Sequence, residues 1–193
     1  MDIADNVAHI LQAIDPNPSR EELAATPERV ATSLKFLTQG YHVNTSDILH
    51  NALFATNTQE MIVIQDITFH SLCEHHLLPF FGTCHIAYIP NKHILGVSKF
   101  AEIVDIFAKR LQIQERLSDE IATCLFTHLQ PKGLGIIMQA RHLCMEMRSL
   151  NNNSPRLVTQ KMLGQLAQPQ QQQLFFNLIQ HSHQRNDKCS GRD

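Results

Sequence analysis

The sequence lacks any long uninterrupted apolar segment, and its N-terminus lacks a basic region followed by an apolar one. A membrane-spanning helix needs roughly 20 consecutive apolar residues, so no such helix and no secretory signal is predicted. Charge of one sign is also lacking, since the formal net charge is only -2. This balance predicts neither a nucleic-acid partner nor attraction to a membrane surface. We therefore expect a cytoplasmic protein.

Disulfide bonds are not expected either, because the five cysteines are odd in number and widely spaced. With 193 residues, 43% hydrophobic and 18% charged, the chain has the composition of an ordinary globular protein and the length for one sizeable core. We predict a single domain over 1–193. It is expected to comprise N-terminal helices and a connecting loop over 1–58, a core over 59–180 and a disordered tail over 181–193.

Apolar periodicity and helix start and stop signals predict an α+β layout. Helices are predicted over 2–14, from Thr26 to Gly40, over 98–111, over 117–129 and around 174–179, strands over 61–67, 83–89 and 134–147, and a loop over 42–58. Ser98 is the predicted N-cap of the helix that follows it. The first two strands are neighbours, so we expect them to hold Cys73 to His76 at a rim of the sheet.

The segment from Cys73 to Gly82 is the first candidate site. It places a thiol, a carboxylate and two imidazoles at four consecutive positions, Cys73-Glu74-His75-His76. Thiolate and imidazole are good ligands for zinc. Cys73 and His76 are three residues apart, which is close enough to bind one ion from a turn.

The segment from Ala140 to Arg148 is the second candidate. Read as a strand, it places four polar residues on one face, opposite Leu and Met. Those four are His142, Cys144, Glu146 and Arg148. The alternative is the polar outer face of a half-exposed strand, and alternation alone does not decide between the two.

Taken together, the two segments predict a catalytic zinc site. Cys144 is the predicted third ligand beside Cys73 and His76, and a fourth position left open is typical of zinc enzymes. His75 and His142 then remain beside the metal, suited to general acid-base work near neutral pH.

Several segments of the chain also resemble one family. They are Thr26-Pro27-x-Arg29, Gln39-Gly40-Tyr41, Cys73-Glu74-His75-His76, Ala87-Tyr88-Ile89-Pro90, Leu95-Gly96-Val97-Ser98-Lys99, Arg110 to Leu117, Ala140-x-His142-x-Cys144-Met145 and Met162-Leu163-Gly164. In this order, and over most of the chain, they closely resemble GTP cyclohydrolase I.

The resemblance implies a fold, a reaction and an assembly. The fold is the tunnelling fold, an antiparallel sheet with paired helices whose barrel closes by oligomerisation, here with an N-terminal helical extension. The reaction opens the guanine imidazole ring of GTP at C8, releases formate and gives 7,8-dihydroneopterin triphosphate, the first step of pterin and tetrahydrofolate synthesis. The assembly is a homo-oligomer, commonly a decamer of two pentamers, with sites between subunits and one zinc ion per subunit.

The resemblance also implies individual roles. The zinc ligands would be Cys73, His76 and Cys144, and the proton-transfer residues would be His75 and His142. Glu115, helped by Gln114, would anchor the guanine edge. Ser98 would contact the sugar-phosphate part, and the triphosphate would be bound by Lys99, Arg148 and Arg29. From spacing alone, the alternative for Arg29 is a solvated charge on its helix.

Departures from the family pattern lie where the triphosphate is expected. Glu102 stands where the family usually has arginine, and the threonine-rich segment is reduced to Val158-Thr159 within 157–161. Glu102 either repels phosphate or points to water while complementing the helix dipole, and Lys161 is a possible compensating cation. Two alternatives to GTP cyclohydrolase activity therefore stay open. One is a related enzyme acting on another purine nucleotide, and the other is a non-catalytic partner of an active cyclohydrolase.

Overall fold

The computed structural model describes residues 2–148 and 155–189, with side chains up to Gln180. The chain forms two compact units, Met1–Gln39 and Gly40–Asp193. This division precedes residue 59, where the sequence places the start of the core. The organisation as one domain stays a prediction.

The first unit is a helical pair, as predicted. Helix α1 spans Ile3–Ile14 and α2 spans Thr26–Leu37, with Pro27 in the first turn of α2. Proline is favoured there because the first N–H groups of a helix have no intrahelical partner. The two helices pack against each other through small buried side chains, including Ala4 and Ala31.

The second unit combines a five-stranded sheet, a two-stranded ribbon and helices. Its elements are α3 Thr45–His50, β1 Leu53–Ala55, β2 Ile62–Cys73, β3 Pro79–Ile89, β4 His93–Leu95, α4 Val97–Ala108, β5 Leu111–Gln112, α5 Gln114–Leu129, β6 Gly133–His142, α6 Leu143–Glu146, β7 Leu157–Gly164 and α7 Pro169–Cys189. Across the described residues, no helix combines the length and apolar character needed to cross a membrane.

The main sheet has the strand order β5-β2-β3-β6-β7. All its pairs are antiparallel except the short pairing of β5 with β2. The register of β3 on β6 runs without interruption from Phe80↔His142 to Ile89↔Gly133. The predicted α+β class with an antiparallel sheet is thus confirmed.

Both faces of this sheet carry apolar side chains. One face packs against α4 and α5 and forms the main core, with Phe100, Leu117 and Ile136 fully buried. The other face is covered in part by α7 and the turn before it, through Leu166 and Phe175. Strands buried on both faces read as nearly continuous apolar runs, which explains why β3 and β6 were recognisable from the sequence.

The predicted strand over 134–147 is wrong in its last third. Strand β6 ends at His142, and the chain then turns into α6, where the N–H of Met147 donates to the carbonyl of Leu143 (2.9 Å). The partner strand begins at Pro79, which has no N–H to continue the ladder. Strand alternation therefore ends at His142, and it does not place Cys144 beside it.

Three further predictions are corrected. The expected loop over 42–58 contains α3 and β1, and α3 begins where the Asn44 side chain accepts from the N–H of Ser46 (3.1 Å). The N-cap of α4 is Gly96, and Ser98 lies in the first turn. Helix α7 continues to Cys189, into the tail predicted to be disordered. The rest of that tail, 190–193, lies outside the described residues.

Gly82 gives the first testable expectation. A Cβ at this position would lie 1.9 Å from the backbone oxygen of Gln139 and 2.7 Å from the Cα of Ala140. Because backbone in the middle of a sheet cannot move aside, we expect Gly82→Ala to lower the free energy of unfolding by about 3 kcal/mol. The measurement is chemical denaturation of the purified protein.

The control is Gly96→Ala, where the nearest heavy atom to an added Cβ is 3.8 Å away. Its expected cost is below about 1 kcal/mol, since alanine is only a poorer N-cap than glycine. Equal effects of the two substitutions would contradict the packing of β3 against β6.

Candidate metal centre and active site

The segment from Cys73 to Gly82 folds as a tight turn between β2 and β3. Cys73 is the last residue of β2, its N–H donates to Leu78 O (2.9 Å), and the N–H of Leu77 returns to Cys73 O (2.8 Å). Leu77 takes a left-handed conformation with φ 54, which lets the chain reverse within so few residues. The turn therefore presents Cys73 and His76 from one side of the sheet rim, as predicted.

A second wall of the site is built by β5 and the start of α5. Gln112 of β5 lies beside Cys73 in the parallel pairing, and its carbonyl accepts from the N–H of Glu74 (3.1 Å). Helix α5 begins two residues later with Gln114 and Glu115. The short parallel pairing thus fixes the first turn of α5 next to the metal-binding turn.

Three potential metal ligands converge at this place. The ligand atoms of Cys73, His76 and Cys144 all lie within 4.8 Å of one another. Cys144 comes from the helical turn α6, which follows directly on the end of β6. The structure therefore brings together the predicted ligand set, although the third member arrives by a turn and not along a strand.

The donor set of this cluster fits zinc. Two thiols and one imidazole match the preference of zinc for sulfur and nitrogen, and three protein ligands are typical of catalytic sites. Burial and the neighbouring Cys73 thiol raise the pKa of Cys144 in the metal-free protein. Because metals bind the thiolate, metal binding at this cluster is expected to release protons.

The cluster opens into a cavity of about 310 Å³. Its lining residues are Cys73, His75, His76, Gln112, Ile113, Gln114, Glu115, His142, Cys144, Met145 and Arg148. Eight of the eleven residues predicted to form the site are therefore gathered around one space. Of the two histidines outside the ligand cluster, His75 is the more exposed, with 64% of its side chain accessible to solvent.

His142, in contrast, is held tightly by its surroundings. Only 8% of the residue is exposed, and its ring stacks on Phe80 with centroids 4.7 Å apart and planes 5° from parallel. Its Nε2 lies 2.9 Å from Oε1 of Gln114. Burial lowers the pKa of His142, against the charges of Glu115 and Glu146, which raise it.

Two side-chain contacts brace the turn that carries Cys73 and His76. Glu74 contacts the guanidinium of Arg116 on α5, and this hydrogen bond lowers the pKa of the Glu74 carboxyl. Arg148 contacts Nε2 of His76. A cation thus stands next to one proposed metal ligand, and both residues line the cavity.

Known proteins related to this chain point to one family. A sequence profile of the family described as GTP cyclohydrolase I matches residues 3–180. The chain belongs to the GTP cyclohydrolase I family.

Individual members of the family match over nearly their full length. A protein named GTP cyclohydrolase 1 from Campylobacter jejuni is 46% identical, over 93% of this chain and 95% of that protein. Proteins of the same name are 45% identical in Leptospira biflexa (90% of this chain, 95% of that protein) and 48% identical in Coxiella burnetii (84% and 88%). Among solved structures, an apo archaeosine synthase QueF-Like gives a TM-score of 0.41 at 14% identity, over 52% of this chain and 92% of that one. That likeness is too weak to bear on the fold.

The residues that the family pattern assigns to phosphate are placed differently from the metal ligands. Ser98 and Lys99 lie in the first turn of α4 and do not line the cavity. Arg29 lies in the first turn of α2, in the unit Met1–Gln39. Of the predicted GTP cyclohydrolase site, the structure therefore gathers eight residues around one cavity, and Ser98 and Lys99 of the same unit do not line it.

The charged residues at two departures from the family pattern, Glu102 and Lys161, are engaged in ion pairs. Glu102 accepts from Lys99 at 2.6 Å, one turn away on α4. This pairing leaves both expected alternatives open, because Glu102 stays partly exposed near the start of α4 and also offsets the charge of a cation that the family pattern assigns to phosphate. Lys161, the possible compensator, pairs with Asp119.

Two residues near the centre were not singled out from the sequence. Phe80 forms the stacking surface for His142, and Thr159 accepts a hydrogen bond from Gln114 (3.1 Å). Neither has a chemical signature of its own in the sequence. Phe80 is identified only by the register of β3 on β6, which pairs it with His142.

Proposed function

We propose that this chain is a zinc-dependent GTP cyclohydrolase I, which opens the imidazole ring of GTP by hydrolysis, releases formate and forms 7,8-dihydroneopterin triphosphate. One observation carries the proposal: the Cys73, His76 and Cys144 ligand atoms meet within 4.8 Å on the wall of a cavity that also holds His75, His142 and Glu115. Because the chain belongs to the GTP cyclohydrolase I family, we assign to this arrangement the reaction of that family.

Zinc held by Cys73, His76 and Cys144 would supply a water activated for attack near neutral pH. His75, exposed at the cavity, and His142, fixed against Phe80, move protons to and from the purine as its ring opens. Glu115 anchors the guanine, because a carboxylate can accept from the adjacent ring N–H and amino group of the base edge. Glu115 lies in the first turn of α5, so a rigid element holds the base.

The triphosphate is proposed to bind Lys99, Arg148 and Arg29, with Ser98 at the sugar-phosphate part. Ser98 and Lys99 are absent from the lining of the chain's own cavity. This absence supports a site completed by the neighbouring subunit, in which α4 of one copy faces the cavity of the next. We propose a homo-oligomer built as the family implies, a decamer of two pentamers in which the tunnelling-fold barrel closes.

The Lys99–Glu102 pair gives a prediction about substrate affinity. Both side chains are partly exposed, at 32% and 41%, so their interaction is screened and the effect of breaking it is moderate. We expect Glu102→Arg to lower KM for GTP by about tenfold, equal to about 1.4 kcal/mol, because it releases Lys99 and adds a cation. Steady-state kinetics with GTP measure this change.

The matched control is Asp105→Arg, which makes the same charge reversal at a carboxylate paired with Lys109 (2.6 Å) on the same helix. Its KM for GTP is expected to stay within twofold of the unchanged protein. A KM that does not respond to Glu102→Arg would place Lys99 and Glu102 outside the phosphate site.

The proposed function is tested by formate release from zinc-loaded protein supplied with GTP, GDP or GMP. We expect formate from GTP and markedly less from the other two. Turnover confined to a nucleotide with fewer phosphates would favour the related-enzyme alternative, for which the neutralised Lys99 is the supporting observation. Zinc-loaded protein that turns over no purine nucleotide would favour the non-catalytic partner.

A further inference from the structure

Gln114 occupies an unusual position for a residue expected to touch substrate. It is the first residue of α5 and is fully buried. Its Nε2 lies 3.0 Å from Met138 O, 3.2 Å from Leu157 O and 3.1 Å from Thr159 Oγ1. The amide end is thus surrounded by acceptors on β6 and β7, while Oε1 lies 2.9 Å from Nε2 of His142.

These neighbours fix which way round the amide lies. Turning it over would place its oxygen against the carbonyl oxygens of Met138 and Leu157 with no hydrogen between them, and it would remove the amide's own buried hydrogen bonds, which is costly. The nitrogen must therefore face the strands, and the oxygen must face His142. Assignments of this kind come from the hydrogen-bond network, and here two backbone carbonyls leave no choice.

The orientation of Gln114 in turn fixes the tautomer of His142. An amide oxygen only accepts hydrogen bonds, so the nitrogen of His142 that faces it must carry a hydrogen. In the neutral ring this leaves the lone pair on Nδ1. The stacking on Phe80, with planes 5° from parallel, holds the ring plane at the same time.

We propose that Gln114 is a positioning residue that holds His142 as the Nε2–H tautomer, with Nδ1 as the nitrogen available for chemistry in the cavity. Thr159 takes part as an acceptor that helps orient the amide, which gives a task to a threonine retained in the divergent segment 157–161. Gln114 accordingly acts through His142 and not on the guanine edge. This inference rests on the proposed function only for the role of His142 as a proton-transfer group.

The tautomer can be measured without turnover. Solid-state nitrogen-15 NMR of histidine-labelled, zinc-loaded protein at pH 8 reports which ring nitrogen carries hydrogen, and His142→Phe identifies the signal. We expect a protonated Nε2 and an unprotonated Nδ1. Gln114→Met, which keeps the size of the side chain and removes its acceptor and donor, is expected to abolish this preference.

Kinetics with GTP supply the second readout. Outer partners that orient a functional group are worth about 10- to 100-fold in activity, so Gln114→Met is expected to lower kcat by that factor and change KM less than threefold. Gln114→Glu is the conservative variant. A carboxyl group can accept from Nε2–H whether or not it is ionised, so this variant is expected to keep the Nε2–H signal that Gln114→Met loses.

The matched control is Gln139→Met. Gln139 follows Met138 on β6 and is not in contact with His142. This variant is expected to leave the tautomer and kcat unchanged. An unprotonated Nε2 in the parent protein overturns the proposal. A Gln114→Met variant that is less stable but keeps the tautomer and kcat also overturns it, since Gln114 would then only tie α5 to the sheet. Failure of GTP turnover in the parent protein overturns the proposed function instead, and leaves the NMR result standing.

Discussion

Replacing Cys144 by alanine is expected to abolish stoichiometric zinc binding and, with it, formate release from GTP. The remaining ligands, Cys73 and His76, come from one turn and leave half of a tetrahedral shell to solvent. Structural sites with four protein ligands bind zinc with a free energy of about 10–16 kcal/mol. Divided over the ligands, each one contributes about 4 kcal/mol on average. A loss of about 10³-fold in zinc affinity follows.

The measurement is the zinc content per chain after dialysis against a weak chelator. The unchanged protein is expected to keep one zinc ion per chain, and Cys144→Ala close to none. Cys124→Ala is the matched control, because Cys124 is a half-buried free cysteine on α5 outside the ligand cluster. Full zinc occupancy in Cys144→Ala would show that the third ligand is another residue.

Replacing the adjacent histidines His75 and His76 by alanine, one at a time, is expected to have different effects on zinc content and turnover. His76 belongs to the ligand cluster, so His76→Ala should lose both zinc and turnover. His75 lines the same cavity without belonging to the cluster, so His75→Ala should keep its zinc. Its turnover is nevertheless expected to fall by about 10²- to 10⁴-fold, the usual contribution of a general acid or base.

The pair is measured by zinc content and by kcat on the same preparations. His70→Ala is a suitable control, because His70 is an exposed histidine of β2 that stacks on Phe81 (centroids 5.9 Å apart) and does not line the cavity. It should change neither quantity. Loss of zinc from His75→Ala, or normal turnover by it, would mean that the roles of the two histidines have been assigned the wrong way.

The metal centre could be predicted from the sequence because its ligands have distinctive chemistry. Cys73 and His76 are close along the chain, and a turn between two strands was enough to bring them together. Cys144 belongs to the group that could hold a metal, but strand alternation does not place it there, because the strand ends at His142, where Pro79 ends the ladder on β3. Residue type thus indicates Cys144 as a candidate ligand, and only the fold shows how it reaches Cys73 and His76.

Other features could not be predicted because they depend on tertiary neighbours. The pairing of Glu102 with Lys99 is not one of these features, because the two residues are three apart on one helix and that spacing alone allows the pair. The orientation of Gln114 is decided by carbonyl groups of Met138 and Leu157, whose positions follow from the register of β6 and β7. Polar side chains that act on one another across a fold leave no pattern along the chain.

The most direct test of the account is the ratio of two products formed by zinc-loaded protein from GTP. Formate is measured directly, and the pterin product is measured as neopterin fluorescence after oxidation. A centre that opens the ring and rebuilds it should give the two in equal molar amounts, and neither should form without metal. No formate from GTP, or formate without a pterin, would contradict the account.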